Sequence, residues 1–279
     1  MRTRTLVNGR NTTQVDARDR GLQYGDGLFE TLAVINGEAR RLELHLERLT
    51  RGCGRLGIAA PDRTVLVSEI ESLAADQARA VLKVIVTRGM AGRGLDIDLE
   101  AQPTRILSLH PWPSHPAQWA TQGVTVRICT TTLGEQPALA GIKHLNRLEH
   151  VVARREWNDP QIAEGLLRNR QRSFVCGTMT NMFVVQNGRL LTPPVDRCGV
   201  AGTVRATVLE RSHALGIPAV QAVVGDEELA AAEEVFLTNA LIGIWPVTRI
   251  EDRKLGVGPI TQRLQSQIAE PPVAIAEHS

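Results

Sequence analysis

Ala140-Gly141-Ile142-Lys143-His144-Leu145-Asn146-Arg147 is the stretch on which the reading of this chain turns. Small residues lead to a single lysine, and a helical apolar spacing begins directly after it. That spacing predicts a helix from about Asn146 to Trp157, with Leu145, Leu148, Val151 and Val152 on one face. A lysine held between a loop and a helix start is open to partial desolvation. Desolvation lowers the pKa of the amine and frees it to condense with a carbonyl. The competing reading is a solvated surface lysine, and position alone favours it.

Working outward, both sides of this stretch mix strands and helices. On the N-terminal side, Thr5-Leu6-Val7 before Asn8-Gly9 predicts a hairpin, and Leu28 to Ile35 predicts a strand closed by Asn36-Gly37. Leu42, His45, Leu46, Leu49 and Cys53 recur at helical spacing and predict a helix from Leu42 to Leu56. A second helix is expected from Arg63 to Ala75, then strands at Val81 to Val86 and Ile106 to Leu109. Three prolines in the six residues from Pro111 to Pro116 oppose helix and central strand alike, and predict a linker. Beyond it, strands are expected at Val124 to Cys129, Gly165 to Arg168, Ser173 to Cys176, Met182 to Gln186 and Val235 to Thr238. A helix is expected from Thr203 to Leu215. The class is therefore α+β (mixed α/β) in both halves.

Composition narrows the partners. The 32 Lys+Arg against 30 Asp+Glu leave a formal charge of +2, which provides no basic stripe for nucleic acid. With 43% hydrophobic residues in 279, the chain can bury a core without metal or disulfide. The four cysteines, Cys53, Cys129, Cys176 and Cys198, form no C-x-x-C pair, and no two histidines stand at metal spacing. No metal is expected. No apolar run reaches the roughly 18 residues of a membrane helix, and MRTRTLVNGR lacks the apolar core of a leader. These features predict a soluble cytoplasmic protein with reduced thiols and no membrane or nucleic-acid partner.

Two further stretches are candidates for chemistry. In Gly199-Val200-Ala201-Gly202-Thr203-Val204-Arg205, small residues let the backbone approach an anion just where a helix begins. The alternative is glycine placed for packing. In Arg88-Gly89-Met90-Ala91-Gly92-Arg93-Gly94, an arginine on a glycine-rich loop suits a substrate carboxylate. The alternative is a turn with solvated arginines.

Taken together, these stretches resemble the fold-type IV enzymes that use pyridoxal phosphate. That group includes branched-chain and D-amino-acid transaminases and 4-amino-4-deoxychorismate lyases. Asp19-Arg20-Gly21-Leu22-Gln23-Tyr24-Gly25-Asp26-Gly27-Leu28-Phe29-Glu30-Thr31 resembles the N-terminal signature, and His45-Leu46-Glu47-Arg48-Leu49 the helix whose arginine grips the cofactor phosphate. Lys143-His144-Leu145-Asn146-Arg147-Leu148-Glu149 and Thr238-Asn239-Ala240-Leu241, with Pro246-Val247 after it, are closer to the lyases than to the transaminases.

The resemblance implies a small α+β domain over 1–112, a Pro-rich linker over 113–119 and a larger domain with a barrel-like sheet over 120–279. It implies pyridoxal phosphate between the two, and a homodimer. It implies that Lys143 holds the cofactor and moves the substrate proton, and that Thr31 helps protonate the departing enolpyruvyl group. Arg48, Gly202 and the backbone N–H groups of Thr203 and Val204 would anchor the phosphate, with Asn239 a further contact on that side. Arg93 is the candidate for a substrate carboxylate. The implied reaction converts 4-amino-4-deoxychorismate to 4-aminobenzoate and pyruvate in folate synthesis.

One departure bears on activity. The family pattern carries a glutamate opposite the pyridine nitrogen where this chain has Cys176, in Cys176-Gly177-Thr178-Met179-Thr180-Asn181-Met182-Phe183. A neutral thiol cannot hold a pyridinium as a carboxylate does. The nearest upstream acid is Glu164, twelve residues away, too far for a small slip in alignment. Aromatisation of the product offers a lyase a driving force that a transaminase lacks. A fold-type IV aminotransferase and a repurposed non-catalytic relative remain the alternatives. Leu95, where lyases commonly carry tyrosine, and Ala33, at a position often basic, imply an altered substrate pocket.

Overall fold

A computed structural model describes residues 4–90, 92, 94–98 and 100–269. The chain divides into two compact units. The described residues of the first lie within 4–113 and 142–146, and those of the second within 114–141 and 147–269.

The first unit is a six-stranded sheet with helices packed on it. Its elements are β1 (Thr5–Val7), β2 (Arg10–Asn11), α1 (Arg20–Tyr24), β3 (Gly27–Ile35), β4 (Glu38–Ala39), α2 (Leu42–Leu56), α3 (Arg63–Ala74), β5 (Arg79–Thr87) and β6 (Thr104–His110). The strand order is β2-β1-β6-β5-β3-β4, and every pairing is antiparallel. Alternation along β3 and β5 sends Leu28, Leu32, Leu82, Val84 and Val86 to one face, where all are buried. Leu46, Leu49 and Cys53 of α2 and Leu66, Ile70 and Leu73 of α3 are buried too, each large aliphatic contributing about 1.5–3 kcal/mol. Asp62 starts α3 by accepting from Val65 N at 2.9 Å.

The second unit contains α4 (Trp119–Gln122), β7 (Val124–Leu133), α5 (Leu148–Arg154), β8 (Ile162–Asn169), β9 (Phe174–Gly177), β10 (Asn181–Gln186), β11 (Arg189–Thr192), α6 (Thr203–Ala214), β12 (Ala219–Gln221), α7 (Asp226–Ala230), β13 (Glu234–Asn239), β14 (Gly243–Ile250), β15 (Arg253–Lys254) and α8 (Pro259–Ile268). Its sheet runs β12-β11-β10-β13-β14-β7-β8-β9, with β15 on β14. The two ends of this path meet: Phe174 N of β9 donates to Val224 O, just past β12, at 2.8 Å. The sheet is thereby curled towards a barrel.

Both faces of its central strands are buried, which explains their unbroken apolar runs. Met182 and Val184 of β10 and Val235 and Leu237 of β13 join one cluster with Val126, Leu166 and Trp245. Phe183, Val185 and Phe236 join the other, under Val204 and Val208 of α6 and Leu264 and Ile268 of α8. The Phe183 and Phe236 rings stack at 4.9 Å. No helix among the described residues is long and apolar enough to cross a membrane.

Two local expectations are corrected. The helix after Lys143 spans only Leu148–Arg154 rather than Asn146 to Trp157, and on it Leu148, Val151 and Val152 are 77%, 54% and 51% exposed. Trp119, the last residue of the expected linker, opens α4 because its ring packs edge-on against Trp245 at 5.0 Å.

Candidate active site

In the first unit, the five residues 142–146 lie against the start of β3. Phe29 N donates to Lys143 O at 2.9 Å, Leu145 N donates to Gly27 O at 2.9 Å, and Leu28 bridges His144. Asn146 Nδ2 adds a bond to Gly25 O at 3.2 Å. This pairing sets Lys143 Nζ 4.3 Å from the centre of the Phe29 ring. Lys83 Nζ lies 5.3 Å from the same ring. Thr31 is the direct register partner of Lys83, and Lys83 that of Ser108. Phe29, Thr31, Lys83 and Ser108 therefore share one face of the sheet. Two predicted residues, Lys143 and Thr31, are thus brought together, and an unpredicted cation joins them.

The opposite face holds a buried ionic group. Glu30, on the core side of β3, accepts from Arg48 Nε at 2.8 Å and from Arg48 Nη2, and from His45 Nδ1 at 2.6 Å. All three residues are at most 5% exposed. Burial opposes ionisation of Glu30, but the bonds and charge of Arg48, then of His45, outweigh it and hold the carboxyl at about 2. Burial lowers the pKa of His45 against the pull of Glu30, and its Nδ1 donates to the carboxylate. Arg48 is a buried residue whose orientation is fixed by a carboxylate.

In the second unit, the stretch expected to cradle a phosphate is held by backbone hydrogen bonds. Gly141 N donates to Gly199 O at 3.0 Å, and Ala201 N donates to Gly141 O at 3.0 Å. Both glycines have positive φ, +79° and +84°. Gly202 is the N-cap of α6 and offers no side chain to cap it. A Cβ there would lie 2.0 Å from Asn181 Oδ1, so only glycine fits. Asn181 Nδ2 in turn donates to Val200 O at 2.9 Å. Thr203 and Val204 form the first turn of α6, and both are buried.

These residues suit a phosphate ester. A helix start without a side-chain cap presents backbone N–H groups to an anion. Behind it, Arg205 is buried and bonds only neutral oxygens: Thr192 Oγ1 at 3.2 Å, Pro193 O at 3.0 Å and Gln221 Oε1 at 3.0 Å. Its positive charge is uncompensated by these contacts. Thr238, in register with Asn181, is fully buried with a hydroxyl that has no hydrogen-bond partner. Asn239 uses its carbonyl to receive Leu241 N at 2.9 Å and Ile242 N at 3.0 Å, and its amide reaches Met179 O at 3.3 Å.

Cys176 sits in an apolar cluster with Cys129, Leu133, Trp157, Leu167 and Cys198. Burial, then the charge of Glu164, pushes its thiol pKa up. It is a neutral group. Glu164, distant in sequence, is near in space: β8 and β9 pair Leu166 with Gly177 and Leu167 with Cys176. Its carboxylate receives Thr178 N at 3.0 Å, Met179 N at 3.0 Å and Thr180 Oγ1 at 3.1 Å.

Arg93 lies outside the described residues. Arg20 Nη1 donates to Gly94 O at 2.8 Å and to Asp96 O at 3.3 Å. Leu95 is exposed, and Ala33 is buried within the sheet. The residues that sequence reasoning missed are Glu30, Lys83 and Glu164. Each left one signal: a charged residue interrupting an apolar strand pattern, as in Val81-Leu82-Lys83-Val84-Ile85-Val86.

A model of the class IV amino-transferase family matches residues 27–250. The chain is 35% identical over 267 residues to an aminodeoxychorismate lyase of Vibrio harveyi, covering 94% of this chain and 98% of that protein. It is 47% identical to a 4-amino-4-deoxychorismate lyase of Pseudomonas aeruginosa whose crystal structure superposes with a TM-score of 0.91, covering 94% and 97% of the two chains. A hypothetical aminotransferase of Mycobacterium tuberculosis in its PLP-bound form shares the fold, with a TM-score of 0.82 at 20% identity over 95% and 99% of the chains.

Proposed function

From the premise that this chain belongs to the class IV aminotransferase family, we infer that it is a pyridoxal-phosphate-dependent carbon–oxygen lyase. Its proposed substrate is 4-amino-4-deoxychorismate, and its products are 4-aminobenzoate and pyruvate for folate synthesis. The observation that carries this reading is the group of Lys143, Thr31 and Lys83 around Phe29. An amine, a hydroxyl and a second cation meet on one face, and the reaction calls for a base, a proton donor and a carboxylate grip.

Lys143 Nζ takes the proton from the ring carbon that bears the amine. The carbon–oxygen bond to the enolpyruvyl group then breaks, and the ring becomes aromatic. The departing enolpyruvate receives a proton at its methylene carbon from Lys143, relayed through the Thr31 hydroxyl. The proton removed is thus returned, and nothing is oxidised or reduced. Lys83 and Arg93 bind substrate carboxylates. Gly202, Thr203 and Val204 anchor the cofactor phosphate, and Arg48 and Asn239 support that anchorage. When bound, pyridoxal phosphate supplies a sink for the electrons released with the proton. A neutral Cys176 weakens that sink, which a reaction driven by aromatisation tolerates better than a transamination does.

Two finer readings complete the proposal. The exposed stripe Leu148, Val151 and Val152 supports burial against a second copy in a homodimer. Four buried, unpaired cysteines support a reducing compartment, the cytoplasm.

The deciding test is formation of 4-aminobenzoate from chorismate and glutamine with an aminodeoxychorismate synthase present. Purified wild type is expected to release it with equimolar pyruvate and to show a visible cofactor band. Lys143→Ala should abolish the band and lower turnover by roughly 10^3-fold or more. Wild-type protein that forms neither product nor band would overturn the reading.

A further inference from the structure

Glu164 carries no role in the reaction described above, yet it is the most enclosed charged side chain in the second unit, with 0% exposure. Five donors converge on it. Gly165 N at 2.9 Å, Thr178 N at 3.0 Å and Thr178 Oγ1 at 2.5 Å reach Oε1. Met179 N at 3.0 Å and Thr180 Oγ1 at 3.1 Å reach Oε2. Every one of these donors is neutral. Three are backbone N–H groups, which can only donate, so the arrangement demands an accepting oxygen at both Oε positions.

The segment 177–181 closes around that carboxylate. Gly177 N donates to Thr180 O at 2.8 Å. A Cβ on Gly177 would lie 2.2 Å from Thr180 Oγ1 and 2.8 Å from Glu164 Cδ, so the turn is fitted to the acid without slack. Two bonds leave the turn towards the phosphate side. Asn181 Nδ2 holds Val200 O, and its Oδ1 fills the space that a Gly202 side chain would need. Met179 O receives Asn239 Nδ2 at 3.3 Å. The cup, the Asn239 loop and the strand end that carries Cys176 therefore all hang on one turn.

We propose that Glu164 is a positioning residue for the phosphate site: its carboxylate sets the Gly177–Asn181 turn, and the turn sets the cup through Asn181 and the Asn239 loop through Met179. It acts on the cofactor through these residues and touches none of the reacting atoms. The inference rests on the pyridoxal phosphate reading only for the binding arm of its test.

The experiment has two arms, both on the full chain. Hydrogen exchange compares wild type with Glu164→Gln, in which an amide nitrogen must face donors. Exchange is expected to quicken about tenfold at Thr178 and Met179 and at least about threefold across 200–203. The second arm titrates pyridoxal phosphate and unphosphorylated pyridoxal. Because the effect passes through the cup, Kd for pyridoxal phosphate should rise about tenfold, and that for pyridoxal less than about twofold. A general loss of folding would weaken both equally, so the ratio separates positioning from stability. Should Glu164→Gln fail to fold, Thr178→Val and Thr180→Val each remove one donor and should give the same pattern in smaller measure. Loosening confined to 178–180, or an unchanged ratio of the two affinities, would overturn the proposal. If wild-type protein binds no pyridoxal phosphate, the functional reading falls, and exchange at 200–203 still decides whether Glu164 sets the cup.

Discussion

Glu30 and Glu164, two of the glutamates buried among the described residues, are stabilised in opposite ways. Glu30 in the first unit faces the guanidinium of Arg48 and the imidazole of His45. Glu164 in the second unit faces backbone amides and threonine hydroxyls. Charge balances the first, and its carboxyl is held at about 2. Dipoles balance the second, and burial still pushes its pKa above the ordinary value, with the bonds from Thr178, Gly165 and Met179 opposing. The difference teaches what each can do. A carboxylate paired to a cation locks two helical residues against a strand. One ringed by backbone amides dictates the path of the chain itself.

The contrast breaks if the two respond alike to losing their charge. Glu30→Gln leaves the Arg48 cation buried without its counter-charge and should cost about 3–5 kcal/mol in urea unfolding. Glu164→Gln strands no cation, and about 1–3 kcal/mol is expected from unsatisfied donors. Equal losses would show that pairing to a cation is not what separates the two sites.

Acid titration sharpens the contrast through its sign. Glu30 has a folded pKa depressed from 4.5 to about 2, so its contribution is present above 4.5 and lost as pH falls towards 2. His45, lowered from 6.5, acts in the same sense, because the unfolded chain takes up its proton first. Glu164 is raised, so its ionisation costs stability above 4.5, and acid relieves that cost. Thermal melting of Glu30→Gln should therefore lose much of the acid limb below pH 4.5. Glu164→Gln should keep that limb, and a variant of Glu30 with an unchanged limb would sink the assignment. The smallest effect is expected at a buried oxygen with no partner at all. Thr238→Val replaces that hydroxyl with a methyl of the same shape and should raise stability by up to about 1 kcal/mol, read as a higher Tm.

Much of the fold was legible in the sequence because it is written in local period. The helix Leu42–Leu56 matches its apolar spacing, and the strands over 27–35 and 79–87 follow their apolar runs. After Lys143 the same period gave the helix but overran its ends, and the face carrying Leu148, Val151 and Val152 is exposed. Period reports which residues share a face, and the partner of that face is a separate matter. Within the candidate site, Lys143 and the glycines before α6 were legible from composition and order. Glu164 was not, because its partners lie fourteen to sixteen residues on and reach it only once β8 pairs with β9. Distance along the chain argued against the residue that strand pairing brings beside the turn.

The way residues 142–146 complete the first unit has a consequence for biosynthesis. A nascent chain that has emerged only to residue 113 has β3 with Phe29 N and Gly27 O still waiting for partners. Those partners are the backbone of Lys143 and Leu145, some thirty residues later. The first unit therefore cannot complete these two pairings ahead of the segment that carries Lys143. Closing these two hydrogen bonds also sets Lys143 beside the Phe29 ring, so one pairing completes the edge of β3 and fixes the place of that lysine.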